Sequence, residues 1–341
     1  MTSRWTDMSW KTAARHPEWW IDMLVGYALK PSDAVVVSGF WRSGTTWLQQ
    51  VIARTLNAKV ILEPLRYSVD AYRPVLDALG VADRSPVYLD PLVPYAGSSF
   101  ERHPKLKQYV RSALVSAIPG LPVRLPRFTM RKQAAVAPRG RWSRSAHRIA
   151  EAFRPRVVVK FTRAHLLLHA IANDFGPRIV HVRRDPRAVV HSFRRIGWTW
   201  PQSFSLVDHL LEPDDGRAAV FREQSDLLRT LDTEPPHVRI AAYWGLLETQ
   251  AQQAIDARGL PCFRYRDLVK DGTDMARRHL APLIGPDIDA AFFRQESWSS
   301  MSKPGEKSIE DRLYGWKDRL SSTEIADIES AVHRVGADVL L

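Results

Sequence analysis

Short runs of β-branched residues alternate with longer amphipathic stretches along this chain. The runs predict buried strands, because a strand covered on both faces carries apolar residues at successive positions. Apolar residues at helical spacing predict helices in the longer stretches. The predicted strands lie at residues 34–38, 60–62, 157–161, 178–182 and 261–265, and the predicted helices at 5–29, 45–56, 163–173, 239–253, 275–284 and from 323 onward. Strands that alternate with helices indicate an α/β fold with a central parallel sheet flanked by helices.

Residues 66–156 interrupt this alternation. They contain several prolines and no comparable strand pattern, which predicts an inserted region of helices and loops. The chain, residues 1–341, is then a single domain with its core at about 34–65 and 157–290. A length of 341 residues, of which 45% are hydrophobic, is enough to bury a core of that size.

The charge balance is basic. Lysine and arginine number 49 against 37 aspartates and glutamates, a formal net charge of +12 that favours anionic partners. Ten of the basic residues lie between positions 124 and 156, where they could follow a nucleic-acid backbone or receive an acidic acceptor. Charge alone does not choose between these partners.

Cysteine usage and the N-terminus indicate the compartment. Cys262 is the single cysteine, so an intrachain disulfide and a cysteine-rich zinc site are both excluded. Residues 1–30 carry charges among their tryptophans and contain neither a signal-peptide core nor an apolar stretch of spanning length. We therefore expect a cytoplasmic protein without membrane insertion.

A glycine-containing loop, residues 39–46, lies where the first predicted strand turns into a helix. Backbone NH groups and a helix N-terminus can converge on an anion at such a turn. A Walker A loop would have lysine after its second glycine, but Thr45 is found there. Arg42, two positions before Gly44, can instead fork onto two oxygens of a phosphate or sulfate. The loop thus predicts a phosphate or sulfate site that is not that of an ATPase.

A second anion site is predicted around Arg184. This arginine follows a strand and precedes Asp185 and Pro186, which suit the cap and the first position of a helix. Ser192 follows about two helical turns later, so that Arg184 and Ser192 could face one phosphate.

Residues 42–48 resemble the 5′-phosphosulfate loop of the sulfotransferases that use 3′-phosphoadenosine 5′-phosphosulfate (PAPS). Arg42 stands where cytosolic members have lysine, which resembles the bacterial, tyrosylprotein and carbohydrate branches. The segment from Arg184 to Ser192 resembles the family's 3′-phosphate motif. The resemblance extends over about residues 34–320 and implies a fold like that of P-loop-containing nucleoside triphosphate hydrolases. The residues that it assigns to donor binding in these two motifs are Arg42, Ser43, Gly44, Thr45, Thr46, Trp47, Arg184 and Ser192.

Two later segments continue the resemblance. Tyr265 matches a tyrosine that lies near the adenine, although Arg266 replaces the glutamate that usually follows it. The segment at about 300–341 resembles a C-terminal loop that closes over the nucleotide, and the positions that match it are Ser302, Lys307 and Lys317, the last in a Trp-Lys pair with Trp316.

Two residues are candidates for the base that takes the acceptor proton. Glu63 follows the predicted strand 60–62, near the sheet edge at which α/β sites open, and in the carbohydrate and tyrosylprotein branches a glutamate placed in this way is the base. His165 is the alternative, in a segment similar to the Lys-Thr-His-Leu of cytosolic members but with three extra residues. Lys160 ends a strand and could act beside the leaving phosphate, with Arg42 as the main stabiliser of its charge.

The resemblance implies transfer of a sulfuryl group from PAPS to a hydroxyl, less often an amine, of an acceptor. The acceptor could be a small molecule, a carbohydrate or a carrier-bound compound, and Trp198 and Trp200 either line its pocket or pack in the core. No metal is implied, because no Walker B acid and no His/Asp ligand cluster are evident. The alternatives are a kinase-like phosphotransferase that needs Mg²⁺ and a nucleic-acid-binding protein, the latter leaving both nucleotide motifs unexplained. We expect no nucleic-acid partner, and the oligomeric state, a homodimer included, stays open.

Overall fold

The central sheet has five strands, all parallel. The computed structural model describes residues 29–118, 154–285 and 308–341. The strands are β1 Val35–Ser38, β2 Lys59–Leu62, β3 Val157–Phe161, β4 Arg178–Arg183 and β5 Cys262–Arg264. They are ordered β2-β3-β1-β4-β5, so β1 lies at the centre and pairs with β3 on one side and β4 on the other. The predicted α/β fold, a central parallel sheet flanked by helices, is confirmed.

Helices surround this sheet. They are α1 Thr45–Thr55, α2 Arg73–Ala78, α3 Pro86–Leu89, α4 Pro104–Leu114, α5 Leu168–Phe175, α6 Pro186–Ile196, α7 Trp200–Ser203, α8 Leu206–Leu210, α9 Ala218–Phe221, α10 Ser225–Asp232, α11 Pro236–Arg258, α12 Tyr265–Lys270, α13 Gly272–Met275, α14 Ala281–Ile284, α15 Ile309–Tyr314 and α16 Ser322–Arg334. Short 3₁₀ turns lie at Pro31–Asp33, Asp70–Tyr72, Arg222–Gln224 and Asp338–Leu340, and a π-helical turn lies at Ala276–Leu280.

Both faces of the sheet are covered, which explains the continuous apolar runs. Val35 and Val37 join a core cluster with Trp47 and Leu48 of α1, whereas Val36 joins a cluster on the other face that includes residues of α4 and α5. Successive side chains of a strand point to opposite faces, so each residue of β1 needs an apolar partner. A third cluster packs α11 against α6 and α16 beside the sheet.

Several boundaries differ from the sequence predictions. The helix predicted at 163–173 begins only at Leu168, because the residues directly after β3 form turns that place polar side chains at the sheet edge. The helix predicted at 275–284 is divided by the π-helical turn at Ala276–Leu280. Helices α7 to α10 were not predicted, since each is at most eight residues long. The predicted helix 5–29 and the basic run 124–156 lie almost wholly outside the described residues.

Among the residues that the structure describes, no helix combines the length and the apolar character needed to cross a bilayer.

Candidate active site

The carboxyl ends of all five strands meet at one edge of the sheet, and each leaves a polar side chain there. These residues are Arg42 after β1, Glu63 after β2, Thr162 after β3, Arg184 after β4 and Tyr265 after β5. All of them line one cleft with a volume of about 690 Å³. A cleft at the carboxyl edge of a parallel sheet is the usual position of a ligand site in this kind of fold.

The loop after β1 is shaped by two glycines. Gly39 and Gly44 have φ values of 154° and 90°, which side-chain-bearing residues rarely adopt. At Gly44 a Cβ atom would also lie only 2.5 Å from Cε2 of Tyr265, so the tyrosine ring packs directly on the loop backbone. Helix α1 begins at Thr45 and directs its free NH groups toward the cleft edge. The two glycines thus let the loop turn tightly against Val182 of β4 and the ring of Tyr265.

Arg42 joins the loop to α6. Its Nε donates a hydrogen bond to Oγ of Ser192 at 3.0 Å, and its own backbone is left-handed, with φ of 67°. Burial and the charges of Arg184 and Arg195 lower the pKa of Arg42 to about 10, which leaves it charged at neutral pH. The sequence placed Arg42 and Ser192 in separate motifs, and the fold brings them into contact.

Arg184 contacts the same loop after β1. Its Nη1 donates to the carbonyl oxygen of Arg42 at 2.8 Å, and its Nη2 donates to that of Arg312 at 3.1 Å. The guanidinium lies 4.7 Å from the centre of the Tyr265 ring. Burial alone would raise the pKa of Tyr265, but the charges of Arg184 and Arg312 outweigh it and lower this pKa. Pro186 begins α6 and Asp185 caps it by accepting from the NH of Arg187, as predicted.

Glu63 is held by three side chains. Its Oε1 lies 2.9 Å from Nζ of Lys160, and its Oε2 accepts from Oγ1 of Thr162 at 2.7 Å and lies 3.3 Å from Nη1 of Arg163. Burial opposes ionisation of the carboxyl, but the two cations and the hydrogen bonds prevail and lower its pKa. Glu63 also has a positive φ, 49°. The residue is therefore a carboxylate at neutral pH, set in a strained backbone position on the cleft wall.

Lys160 contacts both Thr46, at the start of α1, and Glu63. It lies in β3 opposite Val37 of β1, and its Nζ donates to Oγ1 of Thr46 at 2.7 Å while it pairs with Glu63. The ammonium group therefore lies between the phosphate loop and the carboxylate. This position agrees with the one predicted for it at the end of a strand.

His165 lies away from the cleft. It is fully buried beside His181 and Glu248, and it is absent from the cleft lining. Burial lowers its pKa, so the ring is neutral. The sequence indicated no cluster of metal ligands, yet ligand atoms of His165, His181 and Glu248 lie within 4.8 Å of one another. Nε of Arg183 donates to the same carboxylate at 3.0 Å, and this fixed positive charge opposes a cation at that position.

Of the other residues predicted to bind the donor, some line the cleft and others do not. Thr45, Thr46 and Trp47 line the cleft. Ser43 is fully buried and is not part of the lining. Lys317 is exposed and lies over the ring of Tyr314, outside the lining, whereas its neighbour Trp316 lines the cleft. Ser302 and Lys307 lie outside the described residues.

Several cleft residues were not predicted. Arg163 connects Glu63 to Asp90, with an Nη2 to Oδ1 distance of 2.9 Å. Its place just after β3 is a signal that could have revealed it, since the neighbouring strands end in site residues. Arg195 lies on α6 one turn after Ser192, which is also a readable spacing. Arg312 on α15 has no such signal, because only the fold brings it to the loop after β1.

The cleft is strongly cationic. Its lining has six arginines and one lysine, Arg42, Arg66, Lys160, Arg163, Arg184, Arg195 and Arg312, against three carboxylates, Glu63, Asp90 and Asp311. Like charges gathered in this way favour the binding of a polyanion. A carboxylate next to an anion-binding loop adds a group that can accept a proton.

A family model described as "Sulfotransferase family" matches residues 34–283. No curated protein matches the chain.

Solved structures resemble the chain at low identity. The sulfotransferase domain from the curacin biosynthetic pathway is 16% identical, with a TM-score of 0.44, over 88% of this chain and 96% of that one. The sulfotransferase domain from the Synechococcus PCC 7002 olefin synthase is 16% identical, with a TM-score of 0.44, over 90% and 96%. A retinol dehydratase crystallised with retinol and PAP is 16% identical, with a TM-score of 0.35, over 94% and 86%.

Proposed function

The chain belongs to the sulfotransferase family, and we propose that it transfers a sulfuryl group from PAPS to a hydroxyl group of an acceptor. One observation carries the choice of donor. Arg42 and Arg184, from two motifs far apart in sequence, meet with Ser192 at one edge of the sheet. Within the described ranges, neither arginine makes a salt bridge to a carboxylate. Two uncompensated guanidinium groups so close together are matched by a ligand that carries two anionic groups.

Residues of the cleft fit the parts of this donor. The NH groups at the start of α1 and the guanidinium of Arg42 would hold the 5′-phosphosulfate. Arg184 and Ser192 would hold the 3′-phosphate. The rings of Trp47 and Tyr265 lie edge to face with centres 6.2 Å apart and offer an aromatic surface for the adenine.

Glu63 is the proposed base. It lines the cleft as a carboxylate, and its pKa below the ordinary value keeps it able to accept a proton at neutral pH. Arg42 and Glu63 are two of the four non-glycine residues with positive φ in the described chain. Such strain costs of order 1–3 kcal/mol per residue and tends to occur at functional sites. His165, buried outside the lining, lacks this access.

The proposed step is an in-line displacement at sulfur. The acceptor oxygen forms a bond to sulfur while the bond from sulfur to the bridging oxygen of the 5′-phosphate breaks, and the electron pair leaves with that oxygen. The acceptor proton passes to Glu63. Lys160, between Glu63 and Thr46, and Arg42 would stabilise the negative charge that develops on the leaving oxygen.

The alternatives explain less. A P-loop kinase would need lysine where Thr45 stands, and a nucleic-acid-binding protein would not need a carboxylate base beside the anion loop. The calorimetric test is binding of 3′-phosphoadenosine 5′-phosphate (PAP), compared with ADP and ATP in EDTA. Micromolar binding that depends on the 3′-phosphate supports the proposal. Equal binding of ATP, or binding only when Mg²⁺ is restored, contradicts it and favours the kinase.

A further inference from the structure

The end of the cleft around Glu63 has its own charge pattern, and its interpretation rests on the proposed function. Glu63 pairs with Lys160 and Arg163, and Arg163 pairs in turn with Asp90. Two carboxylates and two cations form a closed network without net charge. The network therefore has no spare charge for an acceptor.

Arg66 lies at the same end and outside that network. It lines the cleft, its side chain is exposed, and no carboxylate of the described residues pairs with it. Its backbone NH donates to the carbonyl oxygen of Glu63 at 3.2 Å, which makes residues 63–66 a tight turn. Such a turn brings the Cα atoms of its ends within about 7 Å. Arg66 thus follows the proposed base within one turn and lines the same cleft.

The donor does not require this charge. PAPS carries roughly four negative charges when its 3′-phosphate is fully ionised. The donor end of the cleft supplies its own cations, Arg42, Arg184, Arg195 and Arg312. Arg66 is separated from them, since it follows β2 at the edge of the sheet whereas they follow β1 and β4 or lie on α6 and α15. Its charge is available to the acceptor.

Apolar side chains also line the cleft. Val87 is 38% exposed and is the one cleft-lining residue among the large exposed hydrophobics of the described chain. Tyr67, next to Arg66, and Trp198 are half-buried and also line it. Trp41 lies between Arg163 and Trp200. The centre of its ring is 5.2 Å from the guanidinium carbon of Arg163 and 6.0 Å from the centre of the Trp200 ring. Apolar surface kept exposed in a cleft favours a ligand with an apolar body.

We infer that the acceptor is an amphipathic anion, with an apolar or aromatic body between Val87 and Trp198 and a carboxylate, phosphate or sulfate group that binds Arg66. The hydroxyl that receives the sulfuryl group lies within one small-molecule length of that anionic group. Arg66 is then a specificity-determining residue, which discriminates against neutral and cationic acceptors of the same shape.

The test uses phenols of matched size with PAPS. Phloretate carries a carboxylate, phloretamide is its neutral counterpart and tyramine is cationic, while para-hydroxybenzylphosphonate separates a preference for phosphate-like groups from one for carboxylates. PAP release gives kcat/KM for each phenol. Calorimetric binding of the same phenols to the PAP-loaded protein provides a second measurement that needs no turnover.

Three variants separate the role of Arg66 from general charge effects. Arg66→Gln removes the charge, and Arg66→Glu reverses it. Arg102→Gln is the matched control, because Arg102 is also exposed but lies outside the cleft lining. We expect an anionic phenol to be preferred over phloretamide by about tenfold, as for a charge-assisted contact. Arg66→Gln should abolish that preference, Arg66→Glu should shift it to tyramine, and Arg102→Gln should leave it unchanged.

The outcomes distinguish this inference from the function on which it rests. If PAP does not bind the unaltered protein, the proposed function fails. If PAP binds but phloretamide is bound or used as well as both anions, or if the preference survives Arg66→Gln, the inference about the acceptor is wrong and the donor site stands.

Discussion

Gly44 is the position at which a single added methyl group should be most informative. Its φ of +90° is unfavourable for alanine and costs about 1 kcal/mol. The added Cβ would also lie 2.5 Å from Cε2 of Tyr265, well inside the 3.5–4.0 Å at which carbon atoms pack. The ring cannot easily move away, since Arg184 covers it at 4.7 Å and the hydroxyl accepts from Arg312. Relief of such overlap costs about 1–3 kcal/mol more.

Urea unfolding of paired variants measures these two contributions separately. Gly44→Ala should lower the free energy of unfolding by about 2–4 kcal/mol. The control is Gly80→Ala, at a φ of +69° with nothing within 4 Å of the added atom, which should cost only the backbone share of about 1 kcal/mol. In a Tyr265→Ala background Gly44→Ala should also cost only that share. The packing of Tyr265 on the loop is refuted if Gly44→Ala costs no more than Gly80→Ala, or costs the same in both backgrounds.

Three further predictions concern activity and stability. Glu63→Gln should reduce turnover about 10²- to 10⁴-fold while PAP binding stays nearly constant. Because the pKa of Glu63 is lowered, kcat at saturating PAPS should show no acid limb from Glu63 between pH 8 and 5. A limb near pH 6.5 in kcat that disappears in His165→Gln would assign the base to His165 instead. Ser192→Ala should weaken PAP about 2- to 10-fold more than AMP in calorimetry, through loss of one hydrogen bond to the 3′-phosphate. An equal loss for both nucleotides would show that Ser192 acts only by supporting Arg42. Glu248→Gln should cost about 3–5 kcal/mol in urea, because Arg183 loses its buried partner. The pKa of Glu248 is well below its usual value, so its contribution should be present at neutral pH and lost only in strong acid; unchanged stability at pH 7 would contradict the ion pair.

The sheet and the anion site were predictable because local signals agreed. Each strand of the centre reads as an apolar run, and the residue after a strand end is where a parallel sheet exposes side chains. That Arg184 and Ser192 line one cleft was predictable from their spacing, once Pro186 fixed the start of the helix. Glu63 was predictable as an edge residue for the same reason.

The positions of the other site residues depend on tertiary contacts that no local sequence pattern encodes. His165 follows a strand in sequence, but the turn after β3 directs it into the core beside Glu248, while Arg163 takes the position at the cleft. Arg312 reaches the loop after β1 only through the packing of α15. Kinship with the arginine-type branches and the domain limits at about 34–65, 157–290 and 300–341 stay predictions.

The central position of β1 also affects how the chain is made. Val35 pairs with Val158 on one side and Arg178 on the other, so both neighbours are synthesised about 120 residues or more later. Ribosomes add about 5–20 residues per second, and roughly ten seconds therefore pass before the first neighbour of β1 emerges. During that interval an apolar segment with two unpaired edges is exposed on the nascent chain. Early association with a chaperone that binds short hydrophobic segments is the expected consequence, and truncation before Val157 should yield aggregating products.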